Sequence, residues 1–271
     1  MRKLLIAILI VVIAGIGLAA FALAEARRDP AVRTATLSLP HWPAGAKPVR
    51  AVLISDVHIG SWAMDATRLS RIADQIDALH PDIIFIAGDM INGSRANSAP
   101  AIGEAMVAPL SRLRAPLGVV AMLGNHDNWT GALAVRDQMR RAGITVLENQ
   151  AIERGPLAIG VIGDRFSYHS DIPTTLAAIQ PLSGGRVFLT HSPSITPLLP
   201  DGSVLLAGHT HCGQVRIFGW SPGRQPYDKR YRCGIIREGK RTVVVTAGLG
   251  TSGPPVRLGE PPDLWLLTLG P

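Results

Sequence analysis

The chain begins with a long apolar segment. Arg2 and Lys3 precede a run from Leu4 to Ala24 that contains no polar side chain. Because about 20 apolar residues span a bilayer as a helix, we expect residues 1–28 to form an N-terminal transmembrane helix that anchors the chain. The alternative is a cleaved secretory signal, since Ala22, Leu23 and Ala24 form the small-x-small pattern of a cleavage site.

The charges that flank this segment are nearly balanced. Arg2 and Lys3 lie before it, whereas Arg27, Arg28 and Arg33 follow it, so the comparison of positive charges between the two sides is close to a tie. The short tail ahead of the apolar run favours an N terminus that stays in the cytoplasm. We therefore expect the rest of the chain on the periplasmic or extracytoplasmic side rather than in the cytoplasm.

Short apolar runs then alternate with helical patterns. Residues 29–47 mix charges with prolines and read as a linker, whereas residues 48–271 read as one folded domain. Alternation of strands and helices predicts an α/β fold with a substantial sheet. The predicted strands are Arg50–Ser55, Ile83–Ala87, Gly118–Leu123, Leu157–Gly163, Arg186–Thr190, Val204–Ala207 and Thr242–Ala247, and the predicted helices are Thr67–Leu79, Gly103–Leu113, Ala132–Ala142 and Asp171–Ile179.

Polar residues that can bind a metal follow five of these predicted strands. A single Asp or His at such a place is more often a turn or capping residue, but the carboxyl ends of strands in an α/β sheet converge where ligands bind. On an extended segment, residues i and i+2 point to the same side, so the Asp-x-His and His-x-His pairs can share one ion. The residues are Asp56 and His58, Asp89, Asn125 with His126 and Asp127, His191, and His209 with His211. Of these, we expect Asp127 to be a capping residue or to support the ligands rather than to bind the metal itself.

The types of ligand in this set point to a catalytic metal site. Carboxylates, an amide and imidazoles suit Zn, Mn or Fe(II) better than Ca or Mg alone, and the lack of cysteine among them argues against a structural zinc site. Cys212 and Cys233 fit neither a disulfide framework nor a CxxC metal site. For Cys212, a small buried residue is the favoured reading; the alternatives are a redox-sensitive neighbour of the metal or, if the domain is exported, a disulfide to Cys233.

The composition and net charge limit the classes of partner that the protein can bind. The chain has 271 residues, 47% of them hydrophobic and 17% charged, which excludes an intrinsically disordered protein. A formal net charge of +7 favours anionic partners such as phosphate esters or acidic lipids. A run of basic residues is lacking and aromatic residues make up only 5% of the sequence, so we expect no specific nucleic-acid partner.

The five motifs resemble, in order, those of the calcineurin-like metallophosphoesterase superfamily. The segments SDVHIG, GDMING, GNHDNW and GHTHCGQV, with the tail AGLGTSGPPVRLGEPPDLWLLTL, are similar to its membrane-associated bacterial subgroup typified by YaeI and YkuE. The resemblance implies a four-layer α/β/β/α sandwich and two divalent metal ions. It implies Asp56, His58 and His211 on the first ion, Asp89 bridging both, and Asn125, His191 and His209 on the second.

The same resemblance implies a reaction. His126 is expected to stabilise charge or protonate the leaving oxygen, and Asn125 to touch both metal and phosphate. The chain departs from the protein-phosphatase branch of the family at Asn92, where that branch has an aspartate that orients the catalytic histidine and is followed by an arginine. The missing arginine argues against a protein serine/threonine phosphatase.

These inferences combine into one expected function. We expect residues 48–271 to be the catalytic domain of a membrane-anchored, monomeric metal-dependent hydrolase that cleaves a phosphodiester or pyrophosphate bond. A lipid-linked substrate such as UDP-2,3-diacylglucosamine is one candidate, because some proteins similar to the subgroup hydrolyse it in lipid A biosynthesis. The alternatives are a nucleotide or nucleic-acid phosphodiesterase, and a non-catalytic binding module on the same fold.

Overall fold

The computed structural model describes residues 1–221 and 229–271, which form six α-helices and two six-stranded sheets. The helices are α1 (Arg2–Ala26), α2 (Ala66–Asp77), α3 (Ala99–Ile102), α4 (Glu104–Leu110), α5 (Asn125–Arg141) and α6 (Ile172–Ile179). The strands are β1 (Ala31–Ser38), β2 (Val49–Ile54), β3 (Ile83–Ala87), β4 (Val119–Met122), β5 (Thr145–Val146), β6 (Gln150–Arg154), β7 (Leu157–Val161), β8 (Gly185–Leu189), β9 (Val204–Ala207), β10 (Gly234–Glu238), β11 (Arg241–Val245) and β12 (Asp263–Gly270).

Parallel strands form the centre of both sheets. The first sheet has the order β1-β12-β2-β3-β4-β5, in which β2 to β5 run parallel and β12 runs antiparallel to β2. The second has the order β10-β11-β9-β8-β7-β6, in which β7, β8, β9 and β11 run parallel and the outer strands β6 and β10 run antiparallel to their neighbours. All seven predicted strands are therefore present, with ends shifted by one or two residues.

Alternate side chains of each strand pack on opposite faces, which builds four layers. In β2, Val52 and Ile54 pack against the helical layer of α2, α4 and α5, whereas Leu53 faces the second sheet. In the second sheet, Ile159 faces the first sheet and Ala158 faces α6 and the 3-10 helix at Pro193–Leu198. Because side chains alternate between the two faces of a strand, each sheet packs against the other sheet on one face and against helices on its other face. The expected α/β/β/α arrangement is therefore confirmed.

The expectation of a linker at residues 29–47 is wrong for its first half. Residues Ala31–Ser38 form β1, which pairs in parallel with β12 along its whole length. Alternate β1 side chains are half-buried and exposed, as befits an edge strand, and Pro30 and Pro40 bound the strand rather than interrupt it. The polar half of that alternation, together with the flanking prolines, makes the segment look like a linker in sequence.

The helix that was expected from Ala132 begins earlier. α5 starts at Asn125, so the GNHDNW motif forms its first turns, and the chain kinks at Gly131, where φ is 138°. The predicted helix Gly103–Leu113 corresponds to α4, which ends three residues earlier, at Leu110, and the short helix α3 precedes it. The start of α5 places Asn125 and His126 at the amino end of a helix, where backbone N–H groups favour negatively charged ligands.

α1 is long and apolar enough to cross a membrane. It has 25 residues, and its most apolar window has a mean hydropathy of 3.1 and is wholly unburied by the rest of the protein. A helix of this kind near an N terminus is also typical of a signal sequence. It is therefore a candidate membrane span.

The carboxyl end of α1 is joined tightly to the folded domain. Ala22 and Ala26 are buried, and the backbone N–H of Arg257 donates to the Ala22 carbonyl at 2.9 Å. The fully buried guanidinium of Arg68 donates to the carbonyls of Arg27 and Arg28 at 3.1 and 2.7 Å. The end of the helix is thus part of the domain's packing.

We predict that Arg68 carries much of the stability of this junction. Arg68 also donates to the carbonyls of Ala63 and Leu249, so Arg68→Ala leaves four backbone acceptors without their donor and should lower the free energy of unfolding by about 2–4 kcal/mol. Denaturant unfolding of the detergent-solubilised protein measures the loss. The control is Arg71→Ala, which removes only a half-exposed ion pair with Asp29; equal effects of the two variants would contradict the prediction.

Candidate metal centre

The residues that follow the parallel strands meet between the carboxyl edges of the two sheets. Those after β2, β3 and β4 come from the first sheet, and those after β8 and β9 come from the second. The structure brings together all of the histidines and aspartates that the sequence analysis singled out as ligands, in three overlapping groups whose ligand atoms lie within 4.8 Å of one another: Asp56, His58 and His211; His58, Asp89 and His126; and Asp89, His191 and His209.

The backbone at these residues is left-handed rather than extended. Asp56, His58, Asp89, His209 and His211 all have φ between 49° and 71°. The shared direction of each i, i+2 pair therefore arises from two successive positive-φ turns, and our expectation that an extended strand aligns them is wrong. Such conformations cost about 1–3 kcal/mol each for residues with a side chain and cluster at functional sites.

Glycines let the loops approach closely enough to form the site. A Cβ at Gly124 would lie 2.2 Å from Asp89 Oδ1, and a Cβ at Gly208 would lie 2.3 Å from the Ser55 hydroxyl oxygen. Neither separation is possible for a real side chain. The Gly-Asn-His and Gly-His-Thr-His motifs thus need glycine so that the loops after β4 and β9 can lie against those after β3 and β2.

In the first group, three donor atoms converge. The Nε2 atoms of His58 and His211 are 3.2 Å apart, and Asp56 Oδ1 lies 3.3 Å from His211 Nε2 and 3.9 Å from His58 Nε2. His58 Nδ1 lies 3.2 Å from the Ile91 carbonyl, to which it can donate, and this leaves its Nε2 lone pair aimed into the group.

Asp89 joins the group of His191 and His209 to the first group. Asp89 Oδ2 lies 3.2 Å from His191 Nε2 and 3.7 Å from His58 Nε2, so the carboxylate stands between the two groups. His209 Nδ1 lies 3.1 Å from His191 Nε2, and His191 Nδ1 lies 2.6 Å from the Ala87 carbonyl, to which it donates. Asp89 Oδ1 accepts the backbone N–H of His126 at 2.8 Å.

These donors fit divalent cations. Nitrogen ligands at about 2.0–2.1 Å from one Zn ion are about 3.2–3.4 Å apart, which is the separation seen here. Among the described residues, the buried oxygens Asp56 Oδ1 and Asn125 Oδ1 have no hydrogen-bond partner. Buried oxygens without a donor are rare in native proteins, and a cation beside each would satisfy them.

The protonation states agree with metal binding. Burial lowers the pKa of His58 to about 4 and that of His209 to about 3, so both imidazoles are neutral at pH 7 and offer a lone pair. Burial alone would also lower the pKa of His191, but the adjacent Asp89 carboxylate raises it well above its ordinary value. A proton therefore occupies the place between His191 and Asp89 that a cation would take.

His126 stands at the rim of the groups and is held by the backbone. Its Nδ1 is hydrogen bonded to the Gly93 carbonyl, and its Nε2 lies 3.5 Å from the Ser252 hydroxyl. Asn92 stands where the protein-phosphatase branch has its orienting aspartate, but among the described contacts the neighbouring Gly93 carbonyl takes that place. A backbone acceptor leaves no mark on the sequence, which is why the residue type at position 92 is a poor guide.

Asp127 organises the loops without joining the groups. Its carboxylate accepts the N–H of Met90, Ile91 and Gly124 at 2.8–3.0 Å, which ties the loop after β3 to the start of α5. The capping role predicted for it is confirmed. An aspartate at the third position of a helix is a recognised capping signal. The contacts with the loop after β3 were not predicted, because they depend on how the chain packs and have no local signal.

Cys212 and Cys233 form a disulfide with a Cα–Cα distance of 4.8 Å. Cys212 is fully buried and follows His211 directly. The favoured reading of Cys212 as a small buried residue agrees with its burial, and the alternative of a disulfide to Cys233 describes its bonding. It ties the loop that carries His211 to the segment before β10.

Comparisons with known proteins agree with this arrangement. Residues 49–213 match the family model described as Calcineurin-like phosphoesterase. An uncharacterized metallophosphoesterase of Aquifex aeolicus is 28% identical over 242 residues, which cover 86% of this chain and 89% of that protein. The uncharacterized metallophosphoesterase YkuE of Bacillus subtilis is 28% identical over 239 residues, covering 84% of this chain and 81% of its own length.

Some relatives are longer. A transmembrane protein with metallophosphoesterase domain from Danio rerio is 28% identical over 279 residues, which cover 93% of this chain but only 60% of that protein. The family match begins at the first core strand, β2, and includes every residue of the three groups. Since it covers more than half of the chain, the chain belongs to the calcineurin-like phosphoesterase family and is a metal-dependent phosphoesterase.

Proposed function

We propose that this protein is a membrane-anchored hydrolase that uses two divalent ions to cleave a phosphodiester or pyrophosphate bond. The observation that carries the proposal is the position of Asp89, whose carboxylate lies within 4 Å of an imidazole from each group. In this proposal Asp56, His58 and His211 hold one ion, Asn125, His191 and His209 hold the other, and Asp89 bridges them.

The ions, when bound, would lower the pKa of a coordinated water and clamp the phosphate oxygens. The protein's own contribution lies in His126. The Gly93 carbonyl fixes the Nδ1–H side of the ring, which leaves Nε2 to donate a proton or a hydrogen bond toward the leaving oxygen.

The ligand set limits the metals. Four imidazoles, two carboxylates and one amide suit Mn, Zn or Fe(II), and we propose one or a mixture of these. Both cysteines of the chain are in the disulfide, so neither can offer a thiolate.

The disulfide also supports an extracytoplasmic catalytic domain. Disulfides persist in oxidising compartments and are rare in the cytoplasm, and the short basic tail before α1 agrees with this orientation. We propose that α1 is retained as a single membrane span and that the domain lies outside the cytoplasm, where a lipid-linked phosphoester such as UDP-2,3-diacylglucosamine is one substrate to test.

Asp89→Asn tests the two-metal proposal. An amide cannot neutralise two dications, so the variant should lose measurable hydrolysis of bis-p-nitrophenyl phosphate and should bind at most one ion per chain by elemental analysis. The control is Asp201→Asn, which changes a largely exposed carboxylate paired with Arg241. An Asp89→Asn protein that keeps two ions and near-normal turnover would refute the assignment.

The role of His126 is tested with two leaving groups. His126→Ala should keep both ions but slow the hydrolysis of an alkyl phosphodiester about 10²–10⁴-fold, the usual scale for a general acid. The loss should be smaller for p-nitrophenyl esters, whose leaving group needs no proton.

Asn92→Ala is the matched control for His126, because the ring is held by the Gly93 backbone. We expect turnover within about twofold of the wild type. A loss at Asn92 as large as that at His126 would show that the side chain at position 92 orients the ring.

The membrane side is tested in spheroplasts of a bacterial host. We expect added protease to digest the domain without detergent, and non-reducing alkylation to find no free thiol, because Cys212 and Cys233 are paired. A cytoplasmic marker must stay intact as the control. A protected domain with two reactive thiols would place it in the cytoplasm.

A further inference from the structure

Outside α1, the exposed aromatic side chains of the described residues are concentrated in the loops around the metal groups. Tyr168 and Phe218 are almost fully exposed, and Trp220 and Trp62 are 65% and 54% exposed. Solvent-exposed aromatics gathered in one region mark an interaction surface. We refer to the six residues as the aromatic rim: Trp62, Trp129, Phe166, Tyr168, Phe218 and Trp220.

Two members of the rim connect it directly to the proposed reaction site. The ring of Trp129 lies 5.1 Å from that of His126, and Phe166 lies 5.9 Å from Trp129 and 5.0 Å from His209. Tyr168 follows on the same loop as Phe166. This part of the rim therefore borders the opening above the metal groups.

The opposite part of the rim is linked to the site through Ser252. The Ser252 hydroxyl lies 3.5 Å from His126 Nε2, and its backbone N–H donates to the Gln214 side chain at 2.9 Å. Four residues beyond Gln214, Phe218 begins the exposed end of a tight turn in which Ile217 and Trp220 are paired. Phe218 and Trp220 thus project from a segment that is braced against the site.

The end of α1 lies within the same region. The guanidinium of Arg27 stacks over the Trp62 ring at 5.3 Å and donates to the Trp62 carbonyl. On the other side, Arg257 donates its backbone N–H to the Ala22 carbonyl, and its neighbour Leu258 pairs with Val215 at the base of the Phe218 turn. The candidate membrane span therefore leaves the domain beside the rim.

The junction leaves little distance between the span and the domain. Ala22 belongs to the apolar run Leu4–Ala24, yet the domain already buries it. From Ala22 to Arg27 a helix rises only about 7–8 Å. If α1 spans the bilayer, the domain surface beside Ala22 must lie at the level of the lipid head groups.

We propose that the aromatic rim inserts into the head-group region of the bilayer that α1 spans, so that the metal cleft opens onto the membrane surface. Its substrate is then an amphiphile with a phosphodiester or pyrophosphate head group, taken from the lipid layer. This proposal rests on the membrane anchor and the phosphoesterase activity proposed above. Trp and Tyr are the residues that favour this interface, because one end of each ring system is apolar and the other can stay hydrated.

Apolar burial, rather than charge, would hold the rim in place. Three basic side chains beside the rim and the end of α1 are paired with a carboxylate, which reduces their attraction for anionic lipids: Arg27 with Asp65, Arg28 with Glu25, and Arg216 with Glu260. Insertion should therefore persist in vesicles of neutral phosphatidylcholine and at high salt.

Insertion is measured by fluorescence quenching in vesicles of brominated phosphatidylcholine that contain the full-length protein. Trp62 and Trp220 are the most exposed tryptophans of the rim, whereas the third, Trp129, is only 38% exposed and packs against His126 and Phe166. Trp265 is buried in the core between the sheets, and Trp42 is partly buried against it. We expect substantial quenching in the wild type and loss of most of it in a variant with Trp62→Phe and Trp220→Phe. Quenching that is absent in the wild type, or unchanged in this variant, would overturn the proposal.

The effect on catalysis is measured with two diesters that share a leaving group, bis-p-nitrophenyl phosphate in water and phosphatidyl-p-nitrophenol in neutral vesicles. A variant with Tyr168→Ser and Phe218→Ser should lose about tenfold in turnover of the vesicle substrate and less than twofold on the soluble one. The control is Leu198→Ser, an exposed apolar residue on the outer 3-10 helix, which should change neither rate.

The possible outcomes separate this proposal from the proposed function. Equal losses on both diesters, or a wild type that cleaves only the soluble diester, would show that the rim does not serve a membrane substrate, and would leave the phosphoesterase activity intact. A wild type that cleaves neither diester with both ions bound would contradict the proposed function, while quenching would still report on the rim. Rates that match between vesicle and soluble substrate in every variant would favour a protein or a nucleotide as the occupant of the rim.

Discussion

Asp56 and Asp89 carry two carboxylates into the interior between the sheets, away from water. Burial, together with the neighbouring Asp89 carboxylate, raises the pKa of Asp56 to about 6. Two buried anions side by side cost several kcal/mol unless positive charge compensates them. The neutral imidazoles of His58 and His209 and the proton shared by His191 and Asp89 lie where cations can supply that charge.

The backbone of the loops that carry these residues is strained, and the rest of the domain keeps the loops in place. Five of the residues in the groups have a left-handed backbone, and the loops approach each other so closely that Gly124 and Gly208 permit no side chain. The two sheets, packed face to face, stabilise the domain. The three hydrogen bonds to Asp127 fix the loop after β3 to the start of α5. The two packed sheets thus support strained loops at their carboxyl edges.

Much of the scaffold could be predicted from the sequence because its signals are local. Apolar runs predicted seven of the strands, and polar residues at the ends of five of these runs located the edge where the groups meet. β1 was not predicted, because it is an edge strand with polar residues at alternate positions and prolines lie on both sides of it. The Gly93 carbonyl that holds His126 and the pairing of Cys212 with Cys233 depend on tertiary contacts, and a backbone acceptor has no residue type to read.

In the proposed membrane-anchored protein, the tight junction between α1 and the domain determines which side of the domain faces the bilayer. A flexible linker would let the site turn freely, whereas the hydrogen bonds of Arg68 and Arg257 to the end of α1 fix the direction in which the cleft opens. In that proposal, the helix end, the aromatic rim and the loops of the metal groups belong to connected segments of the chain. The anchor therefore determines how the cleft is oriented toward its substrate.

The central claim is that two cations are held on either side of Asp89. Anomalous diffraction from crystals of the protein grown with Mn²⁺ tests it directly. Two anomalous peaks are predicted, one bounded by Asp56, His58 and His211 and the other by Asn125, His191 and His209, with the Asp89 carboxylate between them. A single peak, or peaks elsewhere in the protein, would contradict the account.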